Sequence, residues 1–306
     1  MTYKTQEEKD MYCKSHEHDE CGVGCVVNTK GEKSHQIVFD ALEMLVNMEH
    51  RGATGADANT GDGAGILIQI PHDFYKKEVP YLPEQGTYGV GMFFFPQHEA
   101  TRAKCKEVID ECLQRMSFEK IAYRVVPSDN TQIGHESKSV EPYIEQLFVG
   151  HSDTSLLGDE LERKLFVLNN FIKHQVSSLV DGENSDFYVV SCSAQKVIYK
   201  GQLKTSQVRK YFLDLQNEQL TSALAIVHSR FSTNTFPNWK LAQPFRFIAH
   251  NGEINTIKGN VTKMKSKEAL MNSKLYTAEE LSFLIPVTDP DNSDSANLDA
   301  LVELLA

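Results

Sequence analysis

The sequence predicts an α+β domain in which two β-sheets pack together between helices. Three observations predict it. Short apolar runs of strand composition recur along the chain, among them CGVGCVVN, YGVGMFFFP and ALAIVHSRF. Stretches with helical periodicity flank them. No internal repeat or low-complexity linker divides the chain. Its 306 residues can bury a substantial core, and 41% hydrophobic with 24% charged residues is the composition of a soluble globular protein.

The first twenty residues, MTYKTQEEKDMYCKSHEHDE, read as a polar, solvated lead. They lack the apolar centre of a secretory signal and the Arg/Ser-rich bias of a transit peptide, so a cytoplasmic location is expected. A strand over CGVGCVVN ends in a turn at Thr29–Gly31. Residues 36–50 place Ile37, Ala41, Leu45 and Met48 on one face, an amphipathic helix that ends at Arg51-Gly52, where glycine suits a left-handed cap. A glycine-rich loop, ATGADANTGDGAG, opens into a strand over 66–70, and YGVGMFFFP is another strand. HEATRAKCKEVIDECLQRM is a helix with Cys105 and Cys112 on its repeat. AYRVVP and QLFVG read as strands, 157–176 as a helix, and FYVVSCSAQKVIYKG as a strand pair with Cys192 a buried structural thiol. ALAIVHSRF and FRFIAHNGEI read as apolar strands running into polar ends, where sites are commonly built. Helices are expected over 256–269 and 296–306. The last has no capping signal and no polar finish, which predicts that the chain stops inside an element of something larger.

Charge and cysteine usage narrow the function classes. The net charge is −11 and no Lys/Arg run interleaves with aromatics, so no nucleic-acid partner is expected. No apolar stretch has the length of a membrane span. Six cysteines in a chain this long form no disulfide framework; no C-x-x-C occurs, and Cys21 and Cys25 have no partners at metal spacing, so no metal site is expected.

Three polar stretches can serve a nucleophile at Cys21. In HSRFSTNT, Arg230 offers a planar guanidinium for a carboxylate, with the Thr233 hydroxyl nearby, although a charge at a strand end is ordinarily solvated. In AHNGEIN, the Asn251 amide and the Gly252 N–H can form an oxyanion hole, although Asn-Gly by itself is most often a hairpin turn. In DNSDSANLD, Ser293 or Asp294 could merely cap the helix that follows, and by itself the stretch is best read so. Together they supply what an amidase acting on a free amino acid needs: a nucleophile, an oxyanion hole, a cation for the α-carboxylate and an anion for the α-ammonium.

CGVG (21–24), MEHRGATGAD (48–57), TGDGAG (60–65), HSRFSTNT, AQPFRFIAHNGEIN and NSDSANLD, in this order, resemble the N-terminal glutaminase domain of the glutamate synthase large subunit, a class II glutamine amidotransferase. The resemblance runs from Cys21 to Ala306 and implies an N-terminal-nucleophile (Ntn) hydrolase fold, a four-layer αββα sandwich. It implies that residues 1–20 are a propeptide, cut between Glu20 and Cys21, and that 21–306 is an amidotransferase domain truncated at its C-terminal end. Cys21 is then the nucleophile, Arg230 the ligand of the glutamine α-carboxylate assisted by Thr233, Asn251 and Gly252 the oxyanion hole, and Asp294 the ligand of the α-ammonium. Arg51 orients the terminal cysteine on this reading; a helix-end cation on free carbonyls is the plainer one. Gly22 and Gly24 let the backbone approach substrate, Cys25 is a small core hydrophobe, and Cys13 is inert.

The implied reaction is L-glutamine to L-glutamate and ammonia, with no cofactor in this segment. For the full-length enzyme the resemblance implies FMN and an iron–sulfur cluster. Its implied partners are the synthase's central and FMN-binding domains, 2-oxoglutarate as the ammonia acceptor, and an NAD(P)H-oxidising small subunit or ferredoxin as electron source. The alternatives are another class II amidotransferase or terminal-cysteine amidase, or an unprocessed and catalytically silent module of the same fold.

Overall fold

The computed structural model describes residues 22–52, 57–179, 187–232, 236–252, 254, 256–290 and 292–306. In chain order the elements are β1 (Gly22–Val27), α1 (His35–Asn47), β2 (Ala64–Gln69), α2 (His72–Glu78), β3 (Tyr88–Phe95), α3 (Glu99–Arg115), β4 (Phe118–Val125), α4 (His135–Ser139) and β5 (Tyr143–His151). They continue with α5 (Asp159–Leu179), β6 (Tyr188–Ser193), β7 (Lys196–Gly201), α6 (Val208–Tyr211), β8 (Leu224–Ser229), α7 (Ile257–Glu268), α8 (Ala278–Phe283) and α9 (Asp294–Leu305).

Two antiparallel four-stranded sheets result, ordered β1-β8-β2-β7 and β4-β5-β3-β6. Every residue of β3 is buried, because both faces of its sheet are covered. Phe93 and Phe95 join Leu147 and Val149 of β5 in a core with Cys105, Ile109 and Cys112 of α3 and Leu165 and Leu168 of α5. Val90, Met92 and Phe94 belong to the larger core, with Phe148, Ile66, Ile68, Val227 and the α1 residues Val38, Ala41 and Leu45. A polar tie also joins the sheets: Gln146 of β5 donates to the Tyr199 hydroxyl of β7 at 3.2 Å. The helix–sheet–sheet–helix sandwich expected from the resemblance is thus the one observed, with α1 on the first sheet and α3 and α5 on the second.

Several local expectations are corrected. The run 187–201 is not a strand pair, because β6 hydrogen-bonds to β3 and β7 to β2. Ala194 and Gln195 form a corner between sheets, held by Glu162 of α5, which accepts from the Ser193 hydroxyl (2.9 Å) and the Ala194 N–H (2.6 Å). Residues 245–254 form no strand among the described ones. Their N–H groups face a side chain instead of a neighbouring strand: the Asp299 carboxylate accepts from Phe247 (2.7 Å), Ile248 (2.9 Å) and Arg246 (3.3 Å). The first helix stops at Asn47 and a 3₁₀ turn, Glu49–Arg51, follows; Gly52 is extended (φ −96°), so it is no left-handed cap.

Cys25 is exposed. It shares its side of the edge strand β1 with exposed Val23 and Val27, while Gly24 takes the side against α1. Gly24 serves packing: a Cβ there would come within 2.1 Å of Met44 Sδ, so the close approach is to α1.

Candidate active site

The strands β1, β8 and β2 bring the expected site to one end of the first sheet. Gly22 pairs with Ser229, which pairs on its other side with Ala64. Cys21 directly precedes Gly22 and lies outside the described residues, as do residues 1–20, Thr233 and the Arg51 side chain. The register places the start of β1 beside the end of β8, one residue before Arg230.

Arg230 extends the ladder, its N–H donating to Gly63 O at 2.9 Å. Gly63 has φ +137°, a conformation that L side chains rarely adopt, so the backbone here requires glycine. The Arg230 side chain is buried, with Nη1 3.4 Å from Asp62 O. The Asp62 carboxylate accepts from both the N–H (2.7 Å) and the hydroxyl (2.8 Å) of Ser232. The glycine-rich loop therefore fastens the HSRFS stretch along its length, which fixes where the guanidinium sits.

His228, on the same strand, is fully buried. Burial pushes its pKa down to about 4, so it is neutral at neutral pH. Its Nε2 lies 2.9 Å from the His250 carbonyl. A carbonyl only accepts, so the proton is on Nε2, and Nδ1 has no partner among the described residues. This bond secures the backbone just before Asn251 and Gly252, two exposed residues in a bend. The Gly252 N–H donates to His250 Nδ1 at 3.1 Å, so the expected oxyanion donor is engaged in this structure. His250 Nε2 in turn lies 2.9 Å from the Ser295 hydroxyl.

At the start of α9 the capping role falls to Ser293, whose hydroxyl accepts from the Ala296 N–H. The neighbouring Asp294 is thereby released from capping. Its half-buried carboxylate accepts from the Ile254 N–H (2.9 Å), the Ser295 N–H (2.7 Å) and the Ser295 hydroxyl (3.2 Å). Arg230, Asn251, Gly252 and Asp294 are thus tied to one framework: by the β8 backbone to His228, by His228 to the His250 carbonyl, and by the His250 ring to Ser295. Sequence reasoning passed over His228, His250, Ser295, Asp62 and Asp299. All five lie inside the quoted motifs, Asp299 as the last residue of NSDSANLD, so the signal was present; only the fold shows which neighbours they hold.

A family model for class-II glutamine amidotransferases matches residues 21–306. The chain belongs to this family. Its relatives include the large chain of NADPH glutamate synthase of Bacillus subtilis (strain 168), 41% identical over 306 residues, which cover 99% of this chain and 20% of that protein. NADH glutamate synthase of Saccharomyces cerevisiae is 43% identical over 309 residues, covering 98% of this chain and 14% of that one. Ferredoxin-dependent glutamate synthase of Pyropia yezoensis is 40% identical over 295 residues, covering 94% and 19%. This class-II amidotransferase chain therefore spans a fifth or less of the length of these relatives.

Among the described residues of the amidotransferase, no three His, Cys, Asp or Glu side chains are placed to hold a metal ion. Cys25 lies on β1, Cys105 and Cys112 on α3 and Cys192 on β6, a scatter that does not fit an iron–sulfur cluster. No helix among the described residues is long and apolar enough to cross a membrane.

Proposed function

We propose that this chain is the glutaminase domain of a glutamate synthase, hydrolysing L-glutamine to L-glutamate and ammonia with Cys21 as the nucleophile. The observation that carries the reading is that the family match begins at residue 21, the cysteine, and that the residue after it, Gly22, pairs with Ser229, the residue before Arg230. On this reading residues 1–20 are a propeptide, and its removal makes the Cys21 nitrogen an amine. A free thiol has a pKa of about 8.5 and an α-amine one of about 7.7–8.0, so the amine can take the thiol proton near neutral pH, whereas an amide nitrogen cannot.

Arg230 binds the substrate α-carboxylate, assisted by Thr233, and Asp294 binds the α-ammonium. Arg51 orients the amine. The Cys21 sulfur attacks the side-chain amide carbon, while the Asn251 carboxamide and the Gly252 N–H hold the oxyanion. The Cys21 amine returns its proton to the departing ammonia, leaving a γ-glutamyl thioester that water opens through a second oxyanion. His228, neutral and buried, keeps the backbone before Asn251 in place throughout.

In a longer protein of the relatives' kind, the ammonia would pass to 2-oxoglutarate in synthase domains. The FMN and iron–sulfur cluster implied there would supply reducing electrons drawn from an NAD(P)H-oxidising subunit or ferredoxin. A cytoplasmic location is expected. The test is ammonia release from L-glutamine. Wild-type protein should release it, Asn251→Ala should lower kcat by about 10²–10³-fold as loss of one oxyanion donor does elsewhere, and Cys21→Ala should abolish it. Undiminished release by Cys21→Ala would overturn the proposal.

A further inference from the structure

The hydrogen bonds around His250 run in one direction. The Gly252 N–H can only donate, so the Nδ1 that receives it at 3.1 Å carries a lone pair, and the proton of the neutral ring is on Nε2. That Nε2–H then donates to the Ser295 hydroxyl oxygen at 2.9 Å, and the hydroxyl's own hydrogen goes to Asp294 Oδ1 at 3.2 Å. One tautomer satisfies all three bonds, and the chain ends on a carboxylate. The ring is held at both nitrogens, and the backbone carbonyl of the same residue is held by His228 at 2.9 Å. Ser295 is itself buried, so water does not readily replace its hydroxyl in the chain.

We propose that His250 and Ser295 are positioning residues that make release of the Gly252 N–H depend on a charged α-nitrogen at Asp294. The proposal rests on the reading of Gly252 as oxyanion donor and Asp294 as ammonium ligand. While Nδ1 holds the Gly252 N–H, that donor cannot give a full bond to an oxyanion. Among the described residues Asp294 already accepts three bonds, and a carboxylate has about four lone-pair sites. The longest of the three, from the Ser295 hydroxyl, is the one an arriving ammonium displaces most readily. A displaced Ser295 hydroxyl loosens its hold on Nε2, the imidazole turns, and the Gly252 N–H becomes available to the tetrahedral oxygen. No covalent bond changes. A ligand with the side-chain amide and carboxylate of glutamine, but no ammonium, would bind and leave the donor engaged. Discrimination against it would then fall on kcat in addition to KM, as expected for an interaction completed only in the transition state.

The experiment compares ammonia release from L-glutamine and from glutaramate, which lacks the α-amino group, in full-length wild-type protein, Ser295→Ala and His250→Phe. Ser295→Ala removes one oxygen, and His250→Phe keeps a planar aromatic ring, somewhat larger, while removing both nitrogens. In wild type, kcat for glutamine should exceed kcat for glutaramate by on the order of 10²-fold, the effect of one oxyanion donor. In both variants kcat for glutaramate should rise and the ratio fall towards one, while the KM difference between the substrates, set by Asp294, persists. A merely structural role lowers kcat for both substrates together and leaves the ratio at its wild-type value; that result would overturn the proposal. Equal kcat for the two substrates in wild type would overturn it as well, with the glutaminase reading intact. Failure of wild type to release ammonia from glutamine would instead remove the reading beneath it.

Discussion

Asp299 is the residue whose loss should most clearly expose how the site is supported. It is fully buried on α9, and its Oδ1 accepts from the Phe247 and Ile248 N–H groups at 2.7 and 2.9 Å. Its Oδ2 accepts from the Arg246 N–H at 3.3 Å and lies 3.5 Å from Arg246 Nη2. Asp299→Asn keeps an oxygen for the first two donors and turns an amide N–H₂ toward Arg246, setting donor against donor. A hydrogen bond to a charged acceptor contributes about 1.5–3 kcal/mol, and one to a neutral acceptor about 0.5–1.5. The two short bonds together then lose about 2 kcal/mol, and the mismatch at Arg246 brings the total to about 3. Arg246 keeps its other partner, Glu303, at 2.7 Å, which limits the damage. Asp299→Ala leaves every one of these donors without the carboxylate and should cost about 3–5 kcal/mol. Urea denaturation reads both losses directly. The segment 246–248 leads to Asn251 and Gly252, so kcat should fall more than the affinity carried by Arg230. Unfolding of Asp299→Asn within about 0.5 kcal/mol of wild type, the range of an inconsequential surface change, would refute the assignment of Asp299 as the support of this segment.

Two further outcomes follow from burial. His228 has a folded pKa of about 4 against about 6.5 in the unfolded chain, so between these values the unfolded chain binds the extra proton. Stability should therefore fall by about 3 kcal/mol as pH drops from 6.5 to 4. His228→Gln, which keeps a donor for the His250 carbonyl but does not titrate, should lose that part of the slope; an unchanged slope would refute the assignment. Burial also raises the thiols of Cys105 and Cys192 and pushes Cys112 up to about 12, whereas Cys25 is exposed. A small alkylating agent on the native protein should therefore modify Cys25 and spare Cys105 and Cys112. Peptide mapping that finds Cys112 modified as fast as Cys25 would contradict this.

What was legible in the sequence follows the physics of each element. The long helix α3 showed itself because Cys105 and Cys112 fall on its apolar repeat, and β3 because a strand buried on both faces must be apolar throughout. Helix α2 was illegible: its buried residues, Phe74 and Tyr75, are consecutive, and seven residues are too few for a period to register. The stretch 245–254 has strand composition, yet a single carboxylate fifty residues away takes the N–H groups a sheet would need. Cys25 was misplaced because alternation tells which residues share a face and not whether anything covers it. For the candidate site, the motifs that carry the resemblance single out Arg230, Asp294 and the Asn251-Gly252 pair. His250 and Ser295 went unnoticed beside them, since the bonds that give them a role join residues 45 apart.

The proposed chemistry requires sulfur at position 21 of a processed chain. Purified protein treated with the glutamine-mimicking electrophile 6-diazo-5-oxo-norleucine, then analysed by intact mass and peptide sequencing, tests this directly. The account predicts a chain beginning at Cys21 that carries one adduct, on that cysteine, with glutaminase activity lost in step. An adduct on Cys25 instead, or full activity in a chain that still begins at Met1, would contradict it.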